Sequence, residues 1–118
     1  MTSIRDPQLL KGILSLLLLQ LLAERESYGY QVVQRLHETG LPDILEGTVY
    51  PALARLEREG RVSSRLVSSN AGPARKYYQL TPAGYDALTT GAVHWFSLSE
   101  VVDSVLKRPV PAKPIEGS

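Results

Sequence analysis

Between Gly47 and Gly60 the chain reads GTVYPALARLEREG, and its polar side chains recur at helical intervals. At 100° per residue, Thr48, Tyr50, Pro51, Ala54, Arg55 and Arg58 share one side of a helix, while Val49, Ala52, Leu53 and Leu56 share the other. The outward set offers a hydroxyl, a phenol and two guanidinium groups around the small residues Gly47 and Ala54. Guanidinium forks hold phosphates and the acceptor edge of guanine, so the chemistry on offer is recognition of a grooved polyanion. Basic residues continue beyond this stretch. Arg55, Arg58, Arg61, Arg65, Arg75 and Lys76 face only Glu57 and Glu59 within their third of the chain, whereas the remainder holds seven basic and ten acidic residues. Net charge is only +1, so it is the clustering of charge that points to a nucleic-acid partner. A basic face kept for solubility is the plain alternative, and for Arg58 and Arg61 both readings stand.

The parts of an enzyme are missing. There is no cysteine, which excludes a disulfide framework and any thiolate-bound metal and fits a reducing cytoplasm. The two histidines, His37 and His94, have no partner at metal-binding spacing and read as structural. No phosphate-cradling glycine loop or nucleophile elbow occurs, so neither a catalytic residue nor a cofactor is expected.

The elements that must position the polar face follow from local signals. Asp6-Pro7 reads as N-cap and first helical residue of a helix running to about Arg25. Its leucines, Leu16 to Leu19 with Leu21 and Leu22, cover almost every side, yet the run is shorter than the ~20 residues of a membrane span. No signal-peptide cleavage site follows it either. A chain of 118 residues has little with which to cover such a helix, so a second copy is expected to bury Leu14, Leu17, Leu18 and Leu21. Ser27 is positioned to cap a second helix from Tyr28 to Thr39, with Tyr30, Val33 and Leu36 inward and Gln31, Gln34, Arg35 and Glu38 outward. Gly40 closes it, Leu41-Pro42-Asp43 turns, and the polar-faced helix begins, with Pro51 in its first turn and Gly60 at its end. Two helices joined by a tight turn, the second basic outside, form a helix-turn-helix pattern.

Strand-like runs at 62–68 and 76–80 flank Ser69-Asn70-Ala71-Gly72-Pro73, a loop of turn-forming residues, and together predict a hairpin wing. Tyr77 and Tyr78 read as core and sheet residues. Thr81-Pro82 opens a last helix to about Lys107, in which Gly84 and Gly91 each cost about 1 kcal/mol against alanine. Leu88, Trp95 and Val102 recur every seven residues, beside Tyr85, Ala92 and Leu106, and predict packing against a second copy of the helix. The tail from Pro109 to Ser118 has three prolines and no periodicity, and is expected to be disordered. The predicted fold is therefore mainly α with a small β-hairpin wing. It comprises a winged helix-turn-helix over 1–81, a dimerisation helix over 82–108 and a disordered tail over 109–118.

The run EGTVYPALARLEREGRV, followed by GPARKYYQLTPAG, resembles the DNA-binding core of the PadR family of bacterial transcriptional regulators. The two segments span Glu46 to Gly84 in the family's order and spacing. The resemblance implies that Thr48, Tyr50 and Pro51, at the start of the recognition helix, and Arg75 and Lys76 in the wing hold the operator. It also implies a role for Trp95, since small drug-responsive members carry a tryptophan at the matching place, where two copies stack flat aromatic ligands. Leu88, Ala92, Phe96 and Ser99 would then line the same sensor. Trp95 as a plain anchor of the dimer seam is the other reading, and Tyr50 has one too, packing against the second helix.

The function expected is a homodimeric DNA-binding regulator, a repressor on a palindromic operator released by a small aromatic effector. Specificity would come from Thr48, Tyr50 and Arg55, with Arg58, Arg75 and Lys76 on phosphates. The dimer seam would hold Leu14, Leu17, Leu18, Leu21, Leu88, Trp95, Val102 and Leu106. No membrane partner is expected. The competing class is a winged-helix module that presents the same basic face to an acidic protein.

Overall fold

The computed structural model describes residues 7–115. Helices α1 (Pro7–Lys11) and α2 (Leu14–Glu24) lead into a two-residue strand, β1 (Ser27–Tyr28). Helices α3 (Gly29–Thr39) and α4 (Glu46–Arg58) follow, then strands β2 (Val62–Ser69) and β3 (Gly72–Leu80) and the long helix α5 (Pro82–Leu106). The sheet is antiparallel in the order β1-β3-β2, with Ser27 opposite Tyr78 and Val62 opposite Leu80. This is a winged helix-turn-helix with a long terminal helix.

The core lies where α2, α3 and α4 meet under the sheet. Leu18, Val32, Leu36, Val49, Leu53 and Leu56 are fully buried there, each worth about 1.5–3 kcal/mol of transfer free energy. The inward stripe of α4 is as the spacing predicts. Gly60 ends that helix at φ +75°, with Arg61 N–H bonded to Leu56 O (2.9 Å) and Gly60 N–H to Glu57 O (3.0 Å), the paired bonds of a Schellman motif.

Several expectations are corrected. The first helix is interrupted: Gly12, a poor helix former, precedes Ile13, whose N–H bonds three residues back to Leu10 O (3.1 Å). Asp6, expected to cap it, lies outside the described residues. Leu14, Leu18 and Leu21, expected between two copies, are buried inside this chain, and Leu17 packs against the same core. One chain does cover α2, because α3, α4, β3 and α5 all pack around it. Ser27 does not cap α3. It pairs in the sheet, and its buried hydroxyl accepts from Arg35 Nη1 (3.1 Å), while the Gln31 side chain accepts from Tyr28 N–H (3.2 Å). Arg35, expected outside, is buried and also bonds Glu24 (2.9 Å); Tyr30, expected inside, is exposed. The wing loop is tighter than predicted: Ser69 pairs with Gly72, so only Asn70 and Ala71 form the turn. Pro51 is the sixth residue of α4, beyond the first turn, so its missing N–H leaves Gly47 O without its usual donor.

Thr81 caps α5, its Oγ1 accepting from Gly84 N–H (3.1 Å). Residues 109–115 have no regular secondary structure. Among the described residues no helix is long and apolar enough to cross a membrane.

The two glycines of α5 mark close approaches. A Cβ on Gly84 would stand 2.0 Å from the backbone oxygen of Arg61, and one on Gly91 would stand 2.8 Å from Leu16 Cδ1. The first obstacle is backbone and the second is the end of a flexible side chain. Helix propensity alone would make either alanine stabilising by about 1 kcal/mol. Gly84→Ala is instead expected to lower the free energy of urea unfolding by about 1–3 kcal/mol, and Gly91→Ala by clearly less.

Candidate nucleic-acid interface

Helix α4 begins without a side-chain cap; Thr48 and Val49 N–H bond back to Leu45 O at 3.0 and 3.1 Å. Burial of Val49, Leu53 and Leu56 turns Thr48, Tyr50, Pro51, Arg55 and Arg58 to the surface, and all five are exposed. Tyr50 is packed and exposed at once. Its ring edge lies where a Cβ on Gly29 would be (2.7 Å), so it packs on the start of α3, yet the residue keeps 41% of its surface open. Burial, followed by the Glu46 carboxylate, pushes its pKa up, so the phenol is a hydrogen-bond donor at neutral pH.

The wing stands beside this face and is tied to it. Glu57, on α4, accepts from the Ser64 hydroxyl of β2 and from Lys76 Nζ of β3 (3.0 Å). Lys76 also lies 5.5 Å from the centre of the Tyr78 ring. Arg65 is paired with Glu26, ahead of β1. Arg75 lies over the Tyr28 ring at 4.6 Å, and that ring meets Tyr77 edge-on at 5.3 Å.

The basic cluster is thus less free than its composition suggests. Lys76 and Arg65 are held by carboxylates, and Arg55 and Arg61 sit 3.8 and 3.9 Å from Glu59. Arg58 and Arg75 have no carboxylate partner among the described residues. Sequence reasoning misses Glu57, Ser64 and Glu26, because each acts on a side chain of another element; alternation along β2 and β3 is the only signal for which side chains face α4.

The residues expected to bind an effector are divided. Trp95 is 45% exposed and lines a groove of about 300 Å³ with Ile13, Leu16, Leu19, Gly91 and Leu98, where α2 crosses α5. Leu88, Ala92, Phe96 and Ser99 do not line it; Phe96 is well exposed, and Ser99 bonds Phe96 O (3.0 Å). Val102 and Leu106 are exposed, as are Val101 and Val105. His37 is structural, its Nε2 donating to Ile44 O (2.7 Å), whereas His94 is exposed at the Trp95 groove. Among the described residues no group of acidic or histidine side chains could hold a metal ion.

The wing clamp gives a pH dependence of definite sign. Hydrogen bonds from Ser64 and then Lys76 hold the Glu57 carboxyl below its usual range, and the bond to Glu57 raises Lys76. The Glu57 contribution is complete above the ordinary glutamate range and lost as pH falls through the lowered pKa. The Lys76 contribution is complete below the ordinary lysine range and lost as pH rises through the raised one. Hydrogen exchange at the amides of 64–76 is expected to show protection at neutral pH that Glu57→Gln reduces.

Comparison with known proteins agrees with this geometry. Residues 18–90 match the transcriptional regulator PadR-like family. The transcriptional regulator Rv3488 of Mycobacterium tuberculosis is 42% identical over 69 residues, 57% of this chain and 61% of that protein. A PadR-like transcriptional regulator from Bacillus cereus superposes with TM-score 0.76 at 33% identity, over 86% of this chain and 99% of the other. A Streptococcus transcriptional regulator gives TM-score 0.77 at 35% identity, over 86% of this chain and all of the other (100%). Proteins of this family are DNA-binding regulators of transcription and not enzymes, and with its exposed α4 face and paired wing this chain belongs to the PadR-like family of transcriptional regulators.

Proposed function

We propose that the chain is a repressor that binds a palindromic operator as a homodimer. The carrying observation is the α4 face, on which Thr48, Tyr50, Pro51, Arg55 and Arg58 stand exposed beside a wing that Glu57 fixes in place. In this reading α4 enters the major groove, Thr48, Tyr50 and Arg55 meet base edges, and Arg58 and Arg75 neutralise phosphates. Lys76 positions the wing through Glu57 and reaches phosphate only by exchanging partners.

The second copy is supported by α5. Trp95, Phe96, Leu98, Val101, Val102, Val105 and Leu106 are all at least 42% exposed in the single chain, a larger run of apolar surface than a monomer ordinarily shows to water. Trp95, Val102 and Leu106 would form its seam, whereas Leu88 packs against the chain's own core. Release by a small aromatic effector that stacks on Trp95 is part of the same proposal; the groove beside that ring supports it. Such an effector must bind the arrangement unable to hold DNA better than the competent one. A regulator of this kind works in the cytoplasm, beside the DNA it binds.

Binding to the fragment upstream of the chain's own gene, against an unrelated fragment of equal length at two salt concentrations, tests the reading. Preferential binding with two subunits per site is expected. Arg55→Ala should cost about 1–3 kcal/mol on the preferred fragment only, and Arg58→Ala or Arg75→Ala should each lower the salt slope by about 1 on both. Equal binding to both fragments and to a pool of random sequences would sink it.

A further inference from the structure

Beneath the α4 face lies a groove of about 620 Å³ that DNA contact does not explain. Its apolar walls are Leu10 and Leu14 from the first two helices, Ile44 and Leu45 from the turn before α4, and Pro51 and Ala52 from α4 itself. The phosphates of a nucleic-acid backbone are charged and hydrated, and they gain nothing from an apolar concavity. Around these walls stand three cations, Lys11, Arg55 and Arg58, against one carboxylate, Asp43. Neither Lys11 nor Arg58 has a carboxylate partner among the described residues, and Arg55 reaches Glu59 only at 3.8 Å. The volume is within the usual range for small-molecule sites, and apolar walls with a few charged groups at the edge are the usual composition.

We propose that this groove binds an amphipathic organic carboxylate, with the apolar body against Leu10, Leu14, Ile44 and Ala52 and the carboxylate on Arg58 and Lys11. Thr48, Pro51, Arg55 and Arg58 belong both to this groove and to the face assigned to DNA. An occupant would therefore neutralise cations that phosphates need and cover part of the surface that must approach base edges. This is direct competition, and it needs no change in the angle between two copies. Occupancy rests on the groove alone, while its consequence for DNA rests on the function proposed above.

Isothermal titration of the full-length chain with sodium decanoate, kept below its micelle concentration and without DNA, tests occupancy. Saturable binding is expected, at least tenfold weaker for decanol and at least tenfold weaker in Lys11→Ala and Arg58→Ala, two substitutions at exposed positions that leave the core intact. Absence of saturable binding, equal affinity for decanol, or no effect of either substitution overturns the proposal. Decanoate is then titrated into the complex with the upstream fragment. Release at concentrations that fill the groove supports the competition, and an unaffected complex with the groove filled overturns it. A chain that binds decanoate as described but prefers no DNA would overturn the functional reading and leave the binding site standing.

Discussion

The backbone oxygen of Arg61 is approached from two sides, and the junction of α4, the wing and α5 depends on that contact. Thr81 N–H donates to it at 3.1 Å, and Gly84 lies so close that no side chain fits between. The Thr81 hydroxyl completes the junction, donating to Gly60 O (2.6 Å) while it accepts from Gly84 N–H (3.1 Å). The end of α4, the start of β2 and the start of α5 therefore meet at one point with fixed geometry. A hydrogen bond here is worth only about 1 kcal/mol, but close packing of backbone on backbone allows one arrangement and excludes its neighbours.

Charge in this chain is organised by what each cation is allowed to do. Glu57 and Glu26, one from α4 and one ahead of β1, take up Lys76 and Arg65 and so turn two of the wing's three basic side chains into structural ties. Exposed pairs of this kind contribute little stability by themselves, in the range of about 0–1 kcal/mol. Their effect is orientation: they tie the hairpin to α4 and to the segment ahead of β1, beside the pairing of β3 with β1. Arg58 and Arg75 keep their charge available, one on the helix and one on the wing, and Arg75 is steadied by the Tyr28 face without losing it.

Much of this was legible in the sequence, and the failures have physical causes. The α4 stripe, the Gly60 terminator and the Thr81 cap are local signals, carried within a few residues, and the structure agrees with each. Family motifs between Glu46 and Gly84 identified the fold because they lie on the elements that build it. Ser27 misled because a serine before a helix can cap it, whereas here β1 is claimed by β3, a partner some fifty residues away. Arg35 misled for the same reason, since its burial depends on Glu24 and Ser27 converging on it. The leucines of α2 point to a second copy when read by counting alone, which cannot show that four neighbours enclose one helix. Gly84 and Gly91 looked like weaknesses in α5, and only the packing shows that they are contact points.

Helix α5, at 25 residues, is a rod of roughly 37 Å. It is clamped at its start to the end of α4 by the Arg61 junction, and its last residues, Val101 to Leu106, are exposed. A close-packed core does not absorb rotation, so the rod works as a lever arm. A tilt of about a tenth of a radian at the far end displaces the α4 end by about 4 Å, more than the length of a hydrogen bond. Angular error at the far end of α5 is thus converted into displacement of α4, and a few degrees are enough.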